Sequence, residues 1–391
     1  MIWFQCKASS TWPRSSPSLR LIANRAGRGQ TALLLGLLLL GATVWRVDIL
    51  RAADATSSAA TGGRLEWIDV HTHLVVGRGG WQDFAGAVEG ALAAMQEAAI
   101  RKMVLMPPPQ VPGMPGNHDY DHFVEIVKRY APRLAFLGGG GRLNPMLQEA
   151  GQSREVDDGL RRVFEEKANE ILRHGAAGFG EITAHHLSHM PGHPYESAPA
   201  DHPLLFLLAD IAGRSDAVID FHFDAVAQET KAPSWLLSPP NPQLFGANLA
   251  GFERLIERNR KAKIVWAHAG SDMLGFWTTD LSRRLLTKYP NLYMSLRMAP
   301  GRAPQNHPLT RAKEIRPEWI RLLRDFPDRF VLGGDQFFPS PSLKGSGPGL
   351  TFAQRAPIVR ERTGWFLAAL PPELYRKIAI ENATRLYKLK E

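Results

Sequence analysis

From Leu65 onward the chain alternates short apolar runs with longer stretches in which apolar residues recur every three or four positions. The short runs, at residues 67–70, 103–106, 134–137, 177–180, 217–221, 264–267, 292–295 and 330–332, predict eight strands. Between them, FAGAVEGALAAMQEAAI, VDDGLRRVFEEKANEILRHG, NLAGFERLIERNRKA and TDLSRRLLTKY carry helical spacing, each with a Gly, Pro or basic residue near its end. Strands alternating with helices predict an α/β protein with a parallel sheet, and eight such units predict a (β/α)8 TIM barrel, a single domain over residues 64–391. The long irregular segments PPPQVPGMPGNHD, AHHLSHMPGHPYESAPADH and SPPNPQLFGAN follow carboxyl ends of predicted strands, where barrels of this kind build their sites.

Chemistry-bearing residues collect at those same ends. His71 and His73 follow the first strand, Glu181 the fourth, His222 the fifth, His268 the sixth and Asp335 the eighth. In a strand, positions i and i+2 share a face, so the His71 and His73 imidazoles can reach one point. Barrel closure would bring the first and eighth strands together, and Asp335 with them. Taken singly, His222 or His268 reads equally as a core histidine and Asp335 as a helix cap. Together, the six are the residue types that hold zinc or a similar divalent ion.

Composition changes this picture mainly at the amino terminus. Seven Lys or Arg and two acids fall within residues 1–60, so of the net charge of +9 only +4 belongs to the remainder, too little to point to a nucleic-acid partner. Residues 31–45, TALLLGLLLLGATVW, are uncharged and follow Arg20, Arg25 and Arg28, while RAADATSSAATGG comes after. Residues 1–63 therefore read as a secretory signal, with Ala53-Asp54-Ala55 as one cleavage site, or as an uncleaved membrane anchor. Either places the domain outside the cytoplasm, periplasmic or anchored, with the membrane contacted only through this segment. The sole cysteine, Cys6, lies in the leader, so the domain has neither a disulfide nor a thiolate ligand.

The ordered set His-x-His, Glu, His, His, Asp resembles the amidohydrolase superfamily, especially its metal-dependent TIM-barrel hydrolases and decarboxylases. The resemblance covers residues 65–391 and includes the closing IENATRLYKL. It implies that His71, His73 and Asp335 bind one metal, and that His222 and His268 bind a second or contact substrate. Many two-metal members carry a carboxylated lysine after the fourth strand, where this chain has Glu181; in that respect it is similar to the TatD-type deoxyribonucleases, whose GE motif supplies a bridging carboxylate. One or two ions, expected to be zinc, follow from this set, with two favoured. Asp335 would move the proton of an activated water to the leaving group, and His268 would stabilise the oxyanion.

Other residues admit two readings. Arg297, beyond the seventh strand, either binds a substrate carboxylate or phosphate or is a surface arginine. Asp224 shares the face of His222 as a partner or ligand. His185, His186, His189, His193 and His202 read as solvated loop histidines, with a pocket wall as the alternative, and Trp81, Trp266, Trp277 and Phe338 as pocket or core. Gly138 to Gly141 lacks a phosphate-loop signature and reads as a turn. The function expected is hydrolysis of an amide, ester or lactone of a small molecule, with a metal-dependent decarboxylase or a non-catalytic metal-binding barrel as alternatives.

Overall fold

The computed structural model describes residues 64–390 apart from 79, 80, 115, 152, 154, 237–239 and 300, with only the backbone described at 78 and 81. The leader expected over residues 1–63, and with it any signal or anchor, lies outside them. No helix among the described residues is long and apolar enough to cross a membrane.

Strands form at all eight apolar runs: β1 (Trp67–Val75), β2 (Ile100–Leu105), β3 (Leu134–Phe136), β4 (Gly178–His186), β5 (Val218–Phe223), β6 (Lys263–Ala269), β7 (Leu292–Leu296) and β8 (Phe330–Leu332). They pair in parallel, in chain order, within two sheets. One runs Gln336–Pro339, β1, β2, β3; the other runs β8, β7, β6, β5, β4 and Gly138–Gly139, with Glu196–Ser197 antiparallel on β4. The chain itself links the sheets. Only Leu137 separates β3 from Gly138–Gly139, and only Gly333, Gly334 and Asp335 separate β8 from Gln336–Pro339. The order is TIM-barrel-like, each strand lying beside its successor.

Helices α1 (Phe84–Glu97), α2 (Asp121–Arg129), α3 (Leu143–Ala150), α4 (Asp158–Arg173), α5 (Pro203–Ser215), α6 (Leu249–Arg258), α7 (Thr279–Lys288) and α8 (Pro317–Asp325) connect the strands, and α9 (Pro348–Ala353) and α10 (Ala356–Ala369) follow β8. Short polar side chains start several of them: Asp83 accepts the Gly86 N–H at 2.9 Å, Asp157 that of Leu160 at 2.9 Å and Thr278 that of Leu281 at 3.1 Å. Strand residues such as Phe179, Phe221 and Met294 pack against helix residues such as Ala91, Leu208 and Leu285. A separate interior layer of Ile68, Val70, Val104, Val218, Val265 and Val331 packs against Leu386, Tyr387 and Leu389 from the carboxyl-terminal segment.

Two sequence readings are decided here. The glycine run is more than a turn, since Gly138–Gly139 adds to the sheet while the Asp119 carboxylate accepts the N–H groups of Gly139 and Gly141 at 2.8 and 3.0 Å. A Cβ on Gly141 would lie 1.9 Å from the His118 carbonyl, so only glycine fits there. Trp266 and Trp277 stack with centroids 3.6 Å apart inside the core, and Phe338 is buried, which leaves them no role in lining an open pocket.

Candidate metal centre and active site

The site forms where two strands, and the turn after a third, depart from simple alternation. Ile68 and Val70 face the interior layer, yet His71 and His73, of opposite parity, face the same interior higher up. The register between β1 and β2 shifts between Asp69 and Thr72, and such an irregularity re-aims everything that follows it. On β6, Ile264 and Trp266 point to the helices, and parity would send His268 the same way. A register shift between Trp266 and Ala269 and a left-handed φ of 74° at His268 turn it inward. Asp335 likewise has φ of 47° in the turn after β8. Non-glycine residues held in this region carry strain that the surrounding structure must sustain.

The side chains converge. His71 Nε2 and His73 Nε2 lie 3.0 Å apart. Glu181 Oε2 sits 3.4 Å from the first and 3.3 Å from the second, and Asp335 Oδ1 is 3.3 Å from His73 Nε2. The other Glu181 oxygen, Oε1, is 2.8 Å from His222 Nδ1 and 3.1 Å from His268 Nε2. Glu181 thus stands between two histidine pairs. Ligand atoms of His71, His73 and Asp335 all lie within 4.8 Å of one another, as do those of His71, Glu181 and His268. All six residues named in the sequence come together, and all are buried or nearly so.

The outer ring nitrogens indicate what the inner ones offer. His73 Nδ1 is 3.0 Å from the Met106 carbonyl, a contact that only an N–H can make, so in the neutral ring Nε2 is the nitrogen that offers a lone pair. His71 Nδ1 is 3.1 Å from Asp220 Oδ1, an ion-pair contact off the line of a good hydrogen bond, and the carboxylate favours the proton on that nitrogen. The two Nε2 nitrogens, 3.0 Å apart, must share a positive charge, either a proton or a metal ion. The charge balance agrees. Burial lowers the His71 pKa, but Asp220 and Glu181 outweigh it and hold it well above the usual value. Burial would raise Glu181, but His71, His222 and His268 pull it well below the carboxylate range. Asp335 is likewise pushed up by burial and held well below by Arg297 and His268. The donor set, imidazoles and carboxylates, fits one or two divalent metal ions.

Around this cluster, aromatic rings form a chain. Phe337 lies 4.6 Å from His73 and 5.2 Å from Phe352; His193 is 5.1 Å from Phe352 and 4.5 Å from His186, which is 4.5 Å from His222, all between centroids. Three of the five loop histidines are therefore not solvated, while His189 and His193 are partly exposed. His185, His186 and His202 are buried; His202 caps α5, and His185 Nδ1 contacts the Asp224 carbonyl at 2.6 Å. Burial pushes His186 down to about 3 and His189 to about 4, so both stay neutral. Their position was hidden because a histidine-rich, proline-punctuated segment has the composition of an exposed loop.

Arg297 is no free surface residue: its Nη2 lies 2.8 Å from Asp335 Oδ2. Asp224 Oδ2 is 3.2 Å from His222 Nε2 and accepts the Leu187 N–H. The Nε2 of His268 is engaged by Glu181 and His222, while its Nδ1 is buried with no hydrogen-bond partner among the described residues. Two carboxylates escaped the sequence reading: Asp69 and Asp220, both fully buried, each two residues before a histidine of the cluster. That spacing in IDVHTH and VIDFHFD was their one visible signal.

A family model described as "Amidohydrolase" matches residues 68–389. No curated protein matches the chain. Among solved structures, an amidohydrolase 2 from Bifidobacterium longum subsp. infantis aligns at 13% identity over 83% of this chain and 100% of that one, with a TM-score of 0.39. A D-hydantoinase (dihydropyrimidinase) from a Thermus species aligns at 11% identity over 82% and 70%, TM-score 0.41. An amidohydrolase from Pseudomonas aeruginosa aligns at 9% identity over 83% and 96%, TM-score 0.40.

Proposed function

Because the chain belongs to the amidohydrolase family over residues 68–389, we propose that it is a metal-dependent hydrolase opening an amide, ester or lactone bond of a small molecule. The observation that carries this reading is the pair of Nε2 atoms of His71 and His73, 3.0 Å apart, with their outer nitrogens turned to Asp220 and Met106. His71, His73 and Asp335 would hold one ion and His222 and His268 a second, with the Glu181 carboxylate placed between the two histidine pairs. When bound, a divalent ion of the zinc type supplies Lewis acidity and lowers the pKa of water toward about 7. The chain's own residues do the rest. Asp335, with Oδ1 facing His73 and Oδ2 on Arg297, takes the proton of the attacking water and passes it to the leaving group. His268 acts first as a ligand; a role in oxyanion stabilisation requires its ring to release Glu181. Arg297 orients Asp335 and offers a charge to an anionic substrate group. The same reading takes the two sheets as one closed ring, joined at Leu137 and at Gly333 to Asp335.

Elemental analysis of the purified, reconstituted full chain tests the proposal. About two equivalents are expected, falling to about one in Glu181→Gln. One equivalent that survives this change supports a decarboxylase-type site at His71, His73 and Asp335, which assays for carbon dioxide against acid release would verify. Metal bound without turnover in either panel supports a non-catalytic barrel, and no metal at all defeats every one of these readings. We also infer export, from the basic residues ahead of the apolar segment at 31–45. Fractionation of the full chain fused to a reporter should find it beyond the cytoplasm, and an exclusively cytosolic pool overturns that inference.

A further inference from the structure

Asp335 carries its ligand oxygen on a left-handed turn, and both of its chain neighbours are held by one carboxylate. Asp69 Oδ1 accepts the N–H of Gly334 at 2.8 Å and that of His71 at 3.1 Å. Asp69 Oδ2 accepts the side-chain amide N–H of Gln336. Gly334 must lack a side chain for this, since a Cβ there would stand 2.7 Å from Asp69 Oδ2. A single buried carboxylate therefore joins the backbone that carries His71 to the backbone that carries Asp335.

Among the described residues no cation contacts that carboxylate directly, and a charge buried without compensation is costly. Compensation arrives through an amide. Gln336, fully buried, donates from Nε2 to Asp69 and accepts at Oε1 from Arg360 Nη1 at 3.0 Å. Only this orientation of the amide satisfies both neighbours. Arg360 lies on α10, its side chain 11% exposed, with its guanidinium over the Phe338 ring at 6.0 Å and a loose ion pair at 3.6 Å to the exposed Glu97. The guanidinium thus points inward, along a line from helix to amide to carboxylate to ligand turn.

We propose that Arg360 is a positioning residue for Asp335, acting through Gln336 and Asp69 to hold the turn after β8 in register with His71. The proposal rests on reading Asp335 as a ligand. Outer partners of ligating groups typically change metal affinity by about 10- to 100-fold when removed. Arg360→Ala in the full chain should weaken one of the bound Co²⁺ ions by about that factor, measured by competition with a chromogenic chelator. It should also alter the visible Co²⁺ spectrum. Glu181→Gln, by contrast, should affect the other ion. Arg360→Lys keeps the charge but not the planar fork, and should restore affinity only in part. Gln336→Leu, which cuts the relay without touching Arg360, serves as a second variant should Arg360→Ala fold poorly, and should reproduce the affinity loss.

Asp335→Asn is the control for the underlying reading. If it leaves Co²⁺ binding intact, Asp335 is not a ligand and the proposed function fails at that residue. If it removes an ion while folded Arg360→Ala and Gln336→Leu both bind Co²⁺ with native affinity and spectrum, the relay is overturned and the function stands. A uniform loss of both ions together with a lowered Tm also overturns it, because that is the signature of a purely structural arginine.

Discussion

The interior of this fold has two ends built on opposite rules. Below, Ile68, Val70, Val104, Val218, Val265 and Val331 meet Leu386, Tyr387 and Leu389 in an apolar layer. Above, within the same strands, six candidate ligands meet among four further charged groups, Asp69, Asp220, Asp224 and Arg297, with two ligands in left-handed backbone. The floor follows strand periodicity and gains by burying apolar surface. The mouth breaks periodicity at His71, His268 and Asp335 and holds like-charged groups close together. The lesson is that the lower layer supports a conformation that the upper one would not adopt by itself.

The sharpest break of this contrast is to empty the mouth. Replacing both His71 and His73 with Ala should cost turnover on the order of 10³-fold or more, the scale of several kcal/mol of lost transition-state stabilisation. The Tm should hold or rise, because crowded polar groups are relieved; a collapse of the fold, seen by circular dichroism, would place these histidines in the core instead. The converse change is Leu386→Ala. Leu386 is 1% exposed, and truncation of such a residue costs about 2–5 kcal/mol. Denaturant titration should show that loss, while metal equivalents per folded molecule stay native.

A finer test uses acid. His118, in the segment after β2, is buried, its Nδ1 3.1 Å from the Gly116 carbonyl, and burial pushes its pKa down to about 4. The folded state keeps this ring neutral while the unfolded chain takes up a proton near 6.5, so its contribution is present above about pH 6.5 and lost as pH falls toward 4. The ceiling is about 3 kcal/mol. His118→Gln should flatten the stability profile between those values, and an unchanged slope would remove His118 as the source of acid sensitivity.

Much of this organisation was legible in the sequence, for a physical reason. A strand buried on both faces must be apolar, so eight apolar runs located eight strands, and residues just past them fell at the end where loops gather. The six candidate ligands could be named because each is an anomalous polar residue at such a position. What stayed hidden depends on neighbouring strands. The shift that swings His71 and His73 onto the face of Ile68 and Val70 is set by pairing with β2, and the turn of His268 by pairing with β7. Asp69 and Arg360 are 291 residues apart and meet only through Gln336. The burial of His186 and His202 likewise comes from what folds over them.

The apolar layer also bears on how the protein is made. β1 is the first of the described elements to emerge, yet the Asp69 contact to Gly334 spans 265 residues, and the layer beneath waits for Leu386 and Tyr387. A nascent chain thus carries an unsealed interior through nearly all of its synthesis, with its most apolar strand faces available to water, chaperones or one another. Such a chain stays threadable until late, because no early segment can close the interior by itself.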